Sequence, residues 1–155
     1  MSWKRSETIA WLRRPRVVML SRWVLGGIFV WACADKIAHP EGFARIVAEY
    51  RLLPARLVPL FALTLPWVEL TAALCMLVGL FRRAAIWLLS LLLLVFLAAI
   101  SINVVRGLAF SCGCFSVSGG AENPWLLLGR DLLFLLLAAH LLAWDFSRHE
   151  KPSRR

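Results

Sequence analysis

Four apolar stretches divide this chain, and nothing else in the sequence constrains its fold as tightly. Residues 17–34 are interrupted only by Arg22, residues 58–80 only by Glu69, residues 84–105 by no charge at all, and residues 125–144 by the adjacent pair Arg130 and Asp131. A helix needs about 20 apolar residues to cross the hydrocarbon core of a bilayer, and each stretch is close to that length. The chain is 61% hydrophobic, against roughly half in soluble domains. In lipid every backbone polar group must be satisfied within the segment, so the spans must be helical. The expected fold is all-α: an integral membrane four-helix bundle in one domain over residues 1–155, with the lipid bilayer as its solvent.

The net charge of +9 does not point to nucleic acid, whose binders spread basic residues along a soluble face rather than at the ends of apolar spans. With four spans, the N-terminus, the Arg82-Arg83 link and the C-terminus share one side. Twelve of the eighteen Lys and Arg residues fall there and six on the other. The positive-inside rule then puts both termini in the cytoplasm and the two longer loops outside. Ala32-Cys33-Ala34 before Asp35 resembles a signal-peptidase site, but the long basic region ahead of the span favours an uncleaved anchor.

The first outward loop has its own pattern. In "PEGFARIVAEYRLLP" Phe43, Ile46, Val47 and Tyr50 recur at helical spacing, with charged residues mostly opposite. This predicts a short amphipathic helix limited by Pro54, lying across the rim of the bundle with Tyr50 as an interface anchor. The second loop, residues 106–124, is rich in glycine and serine and ends in Asn123-Pro124, a helix start with Asn as cap and Pro in the first turn.

That second loop carries "CGC". Cys112 and Cys114 would face an oxidising space if the topology holds. Residues two apart have Cα atoms about 5.5–7 Å apart, which overlaps the range a disulfide requires. So small a ring restricts the unfolded chain little, and strain favours reduction, so a Cys112–Cys114 bond would be a poor staple and a reasonable exchanger. Cys33, at the outer end of the first span, could pair with either and form a relay. A metal site is the weaker rival, since no histidine stands near the pair: His39 lies outward, His140 and His149 toward the other side. Cys75 reads as a packing residue.

Intramembrane charge is the second signal, because an ionised side chain at mid-bilayer costs roughly 2.5–3.5 kcal/mol on the mildest scale. Glu69, just after Pro66-Trp67, must be neutral or partnered. Arg130 is the expected partner, with Asp131 and Lys36 nearby, serving either helix register or proton handling. Trp23, Trp87, Trp125 and Trp144 sit near span ends as aromatic belts do. Trp31 and Trp67 lie deeper and read as core packing, with a flat quinone pocket as the alternative.

Together, "GGIFVWACADKIAHPEGFARIVAEYRLLP", "LPWVEL" and "CGCF" resemble the MauE family of methylamine-utilisation proteins, within the wider DoxX-like group, over about residues 17–146. The resemblance implies a protein of the bacterial cytoplasmic membrane. It further implies a part in producing the disulfide-rich small subunit of methylamine dehydrogenase, with a thioredoxin-like periplasmic partner. Cys112 and Cys114 match the family's cysteine pair, and Lys36 and Glu69 its polar positions. Ser116 departs from the glycine expected after "CGCF". The expected function is thus thiol–disulfide exchange assisting periplasmic protein maturation. The alternative is a non-catalytic, DoxX-like anchor subunit of a quinone-linked oxidoreductase, and a transporter is weaker still. No cofactor is required, and quinone stays open as one.

Overall fold

A computed structural model describes residues 14–106 and 124–149. The described residues form five helices: α1 (Pro15–Ala38), α2 (Pro40–Glu49), α3 (Val58–Val78), α4 (Arg82–Val105) and α5 (Pro124–His149). α1, α3, α4 and α5 are long and apolar enough to cross a membrane, as the four apolar stretches predict, and the amphipathic segment forms α2. Cys112, Cys114, Ser116 and Asn123 lie outside the described residues.

Proline punctuates the chain. α1, α2 and α3 carry Pro15, Pro40 and Pro59 at their first or second position, and α5 opens on Pro124. There the missing N–H costs nothing and the fixed φ suits a helix. α3 ends at Gly79, whose φ of 91° is the left-handed conformation that glycine adopts freely. Its N–H bonds back to the Cys75 carbonyl, and α4 follows after Leu80 and Phe81.

α1 packs against α3 and α5, and α4 packs against the same two, so the long helices form a ring in the order α1, α3, α4, α5. α2 lies over one end of that ring against α1 and α3. Its apolar face is buried in two clusters, Phe43 and Val47 with Val58, Ala62 and Leu65, and Ile46 with Ile100 and Leu127. Tyr50 joins the second cluster, 7% exposed, and so is a core residue rather than the expected interface anchor. The main core, built on Leu25, Phe29, Ala73, Met76, Ile86 and Leu89, runs below; Cys75 packs at its edge.

The deep tryptophans correct another expectation. Trp31 is 68% and Trp67 57% exposed, so both look outward rather than into the core. Lipid tails are as apolar as a protein interior, so hydrophobicity alone does not decide which side of a membrane helix faces inward. Small residues mark the inward side instead. A Cβ on Gly26 would lie 2.6 Å from Leu77 Cγ across the α1–α3 contact, whereas one on Gly27 would meet nothing within 4 Å.

Candidate functional site

α1 runs four residues beyond the apolar stretch that predicts it, to Ala38, and so carries Asp35 and Lys36 within a helix. Cys33 and Lys36 are three residues apart and share the inward face of α1; Cys33 is 0% and Lys36 3% exposed. Opposite them on α3 is Glu69, 1% exposed, three residues after Pro66. Pro66 itself donates no hydrogen bond to the preceding turn.

Lys36 Nζ donates to Glu69 Oε2 at 2.7 Å, and the Cys33 thiol donates to the same oxygen at 3.6 Å. One carboxylate oxygen thus holds an ammonium and a thiol together. The ammonium also sits between two aromatic rings, 5.2 Å from the centroid of Phe43 on α2 and 5.2 Å from that of Phe96 on α4. Ring faces carry negative charge, so both stabilise the cation, and more strongly where water is excluded.

α5 supplies the second carboxylate. Asp131, buried, and the ion pair of Lys36 and Glu69 line one cavity of about 30 Å³ with Ala32 and Phe134. A water needs about 10–15 Å³ of such space and two or more polar partners, so the cavity has room for roughly two. Arg130, the partner expected for Glu69, turns instead to its own neighbour: its Nε and Nη2 lie 3.2 and 3.1 Å from Asp131 Oδ1. Lys36 takes its place because it shares the α1–α3 contact with Glu69, while α5 does not pack on α3. Two cations therefore face two carboxylates in this cluster.

Of the sequence-predicted residues, Cys33, Lys36 and Glu69 come together, and Asp131, with Arg130, adjoins them across the cavity. The two phenylalanines around Lys36 are the part that sequence reasoning missed, although Phe43 was legible as an inward position of α2. Among the described residues no three of His, Cys, Asp and Glu gather to hold a metal. An apolar pocket of about 190 Å³, walled by Phe43, Tyr50, Phe61 and Phe96, adjoins the lysine cage.

Chemically, the cluster can shuttle a proton. A carboxylate touching a thiol can take its proton, and an ammonium 2.7 Å from that carboxylate stabilises the anion wherever it resides.

The profile of the family described as Methylamine utilisation protein MauE matches residues 14–144. The MauE of Methylorubrum extorquens is 39% identical over 137 residues, covering 88% of this chain and 73% of that protein. The MauE of Paracoccus denitrificans is 38% identical over 130 residues, covering 82% and 69%. No solved structure matches. With four helices able to cross a membrane and a match spanning nearly all of them, the chain belongs to the MauE family of methylamine utilisation proteins.

Proposed function

We propose that this chain is an accessory membrane protein of methylamine utilisation that exchanges thiols and disulfides with a thioredoxin-like partner, on the outer face of the bacterial cytoplasmic membrane. The observation that carries the reading is the buried Cys33 thiol donating to the lysine-paired carboxylate of Glu69. A thiol so placed has a base at hand and a cation to hold the thiolate.

The exchanging pair is Cys112 and Cys114, in the segment between α4 and α5. A thiolate on one attacks the partner's disulfide; that bond breaks, and the released partner sulfur takes a proton. The second loop cysteine then attacks the mixed disulfide. The partner leaves as a dithiol, and the loop pair is left oxidised by the same two electrons. Run backwards, the same steps oxidise the partner. Cys33 then takes over the oxidised bond: Glu69 accepts its proton as its sulfur attacks one sulfur of the loop disulfide, that bond breaks, and the displaced loop cysteine leaves as a thiol. Because Cys33 is sealed in the bundle, this step requires local opening at the end that α2 covers.

The test is rapid alkylation of membranes carrying wild type, Cys112→Ser, Cys114→Ser and Cys33→Ser. One of the two loop variants should accumulate a mixed disulfide with the partner, and Cys33→Ser should let the oxidised Cys112–Cys114 pair accumulate. Permanently free thiols, with full maturation activity in a Cys112→Ser/Cys114→Ser double variant, would leave only the anchor role.

A further inference from the structure

The opposite end of the bundle holds a second polar cluster, which the thiol chemistry does not use. Asp145 of α5, 2% exposed, accepts from Arg82 Nη2 at 2.6 Å and has Arg83 Nε at 3.5 Å from its other oxygen. Those two guanidiniums also lie over Trp144 and Phe146, at 5.4 and 4.5 Å. Arg22 is the exception. It lies seven residues into α1, roughly 10 Å along the axis from Pro15, and no carboxylate among the described residues pairs with it.

What Arg22 does have is one hydrogen bond, from Nη2 to the Leu77 carbonyl at 3.3 Å. Its Nε is buried with no hydrogen-bond partner. A guanidinium desolvated without a counter-ion is costly, and a buried N–H without an acceptor adds to that. The site is nonetheless not closed. Arg22 and Arg82 line a pocket of about 140 Å³ whose remaining walls are apolar, including Val18, Ile86, Leu141 and Trp144. Met19, 57% exposed, forms part of its wall and joins it to the outward surface of α1.

Two arginines lining an otherwise apolar pocket, one of them at the first residue of α4, are complementary to a phosphate carrying acyl chains. We propose that this pocket binds the phosphate of an anionic membrane lipid, with Arg22 as its principal ligand, Arg82 as the second, and the acyl chains running along Met19. Asp145 restrains Arg82 and Arg83, leaving Arg22 the charge that the lipid neutralises. The proposal is independent of the thiol reading, because its readout is lipid binding alone.

The test uses the full chain purified in detergent, with phosphatidylglycerol, phosphatidylcholine and inorganic phosphate as probes. Thermal unfolding and native mass spectrometry are the measurements. Phosphatidylglycerol should raise the unfolding midpoint saturably, as a ligand of the folded state does, with one lipid retained per chain. Phosphatidylcholine, whose choline would oppose Arg82, and millimolar phosphate should do neither. Arg22→Gln should weaken phosphatidylglycerol binding about tenfold or more, the usual consequence of losing a charge-assisted hydrogen bond. Should Arg22→Gln fail to fold, Met19→Trp decides, because it obstructs the pocket from an exposed position and leaves every ion pair intact; it should lose the lipid effect while keeping the wild-type midpoint without lipid. Equal stabilisation by the two lipids, or wild-type affinity in Met19→Trp, would overturn the proposal. So would displacement of phosphatidylglycerol by inorganic phosphate, which would make the pocket a free-anion site.

Discussion

The two ends of this bundle handle buried charge in opposite ways. At the end under α2, Lys36 and Glu69 are both almost wholly buried, held at 2.7 Å, flanked by Phe43 and Phe96, and set beside a second cation–carboxylate pair, Arg130 and Asp131. At the other end, Arg82 and Arg83 share one aspartate while Arg22 pairs with no carboxylate among the described residues; the side chains of Arg82 and Arg83 remain 30% and 45% exposed. The first cluster is neutral and its charged side chains are buried around a cavity of about 30 Å³, while the second, among the described residues, is cationic and half-exposed beside one of about 140 Å³. Buried charge must be balanced largely by protein groups, because desolvation makes an unpaired ion costly. Charge at an interface can leave part of that balance to lipid or water. An ion pair buried inside the bundle therefore implies chemistry or register there, and arginines that described carboxylates do not balance imply a surrounding phase.

The sharpest way to break this comparison is to remove one carboxylate at each end. Glu69→Gln keeps the volume but strands the Lys36 ammonium and the Cys33 thiol, so unfolding stability in detergent should fall by about 3–5 kcal/mol. Asp145→Asn should cost only about 1–2 kcal/mol, because Arg82 and Arg83 can turn toward solvent; it should also tighten phosphatidylglycerol binding. A Lys36→Met/Glu69→Met double variant sharpens the point further. Replacing a whole buried pair with apolar side chains is often neutral, so this variant should recover stability relative to Glu69→Gln. It should still fail in thiol exchange if the pair serves chemistry. Equal losses for Glu69→Gln and Asp145→Asn would erase the distinction between the two ends.

How far each end was legible follows from the same physics. Hydropathy records depth, and depth alone located the four spans to within a few residues. It also marked Glu69 as a group that needs a partner. Which partner each takes depends on which helices are neighbours, and a run of leucines such as residues 91–94 does not encode that in a membrane, where lipid and protein are equally apolar. Hence Arg130 is the partner the sequence suggests for Glu69, although the ring order separates α3 from α5 and Lys36 takes that place, and Trp31 and Trp67 read as inward when they point outward. Asp145 went unnoticed because it falls one residue past the fourth apolar stretch, where an acidic side chain needs no explanation. The legible clue was local: Cys33 and Lys36 sit three residues apart on the side of α1 that also presents Phe29 and Ala32.

The middle of α1 links the two ends, and a pair of adjacent glycines tests that link. On Gly26 a methyl group would meet Leu77, whose carbonyl accepts from Arg22. Gly26→Ala must push α1 and α3 apart or displace Leu77, so it should cost about 1–3 kcal/mol and weaken lipid binding through Arg22. Gly27→Ala, facing open space one residue on, should be neutral to slightly stabilising through helix propensity alone. Thermal unfolding of the two variants side by side separates packing from propensity. Similar losses for both would mean that α1 is not seated on α3 through this face.

The smallest expected effect concerns the aromatic partners of the cations. Phe96 faces Lys36 at 5.2 Å in the buried cluster, where the ammonium also has Phe43 at 5.2 Å and its bond to Glu69, and is 3% exposed. Phe146 faces Arg83 at 4.5 Å but is itself 47% exposed, and its ring also meets Trp87 edge-on at 6.3 Å. The shorter distance belongs to the weaker interaction, because attraction between a cation and a ring grows as solvent is removed rather than with proximity alone. Phe96→Leu should therefore destabilise by about 2 kcal/mol and Phe146→Leu by less than about 1 kcal/mol. Raising ionic strength should diminish only the second, since exposed charges are screened and sealed ones are not. A larger loss for Phe146→Leu would place the tighter electrostatic environment at the arginine-rich end and break the link between burial of the cation and the strength of its ring contact.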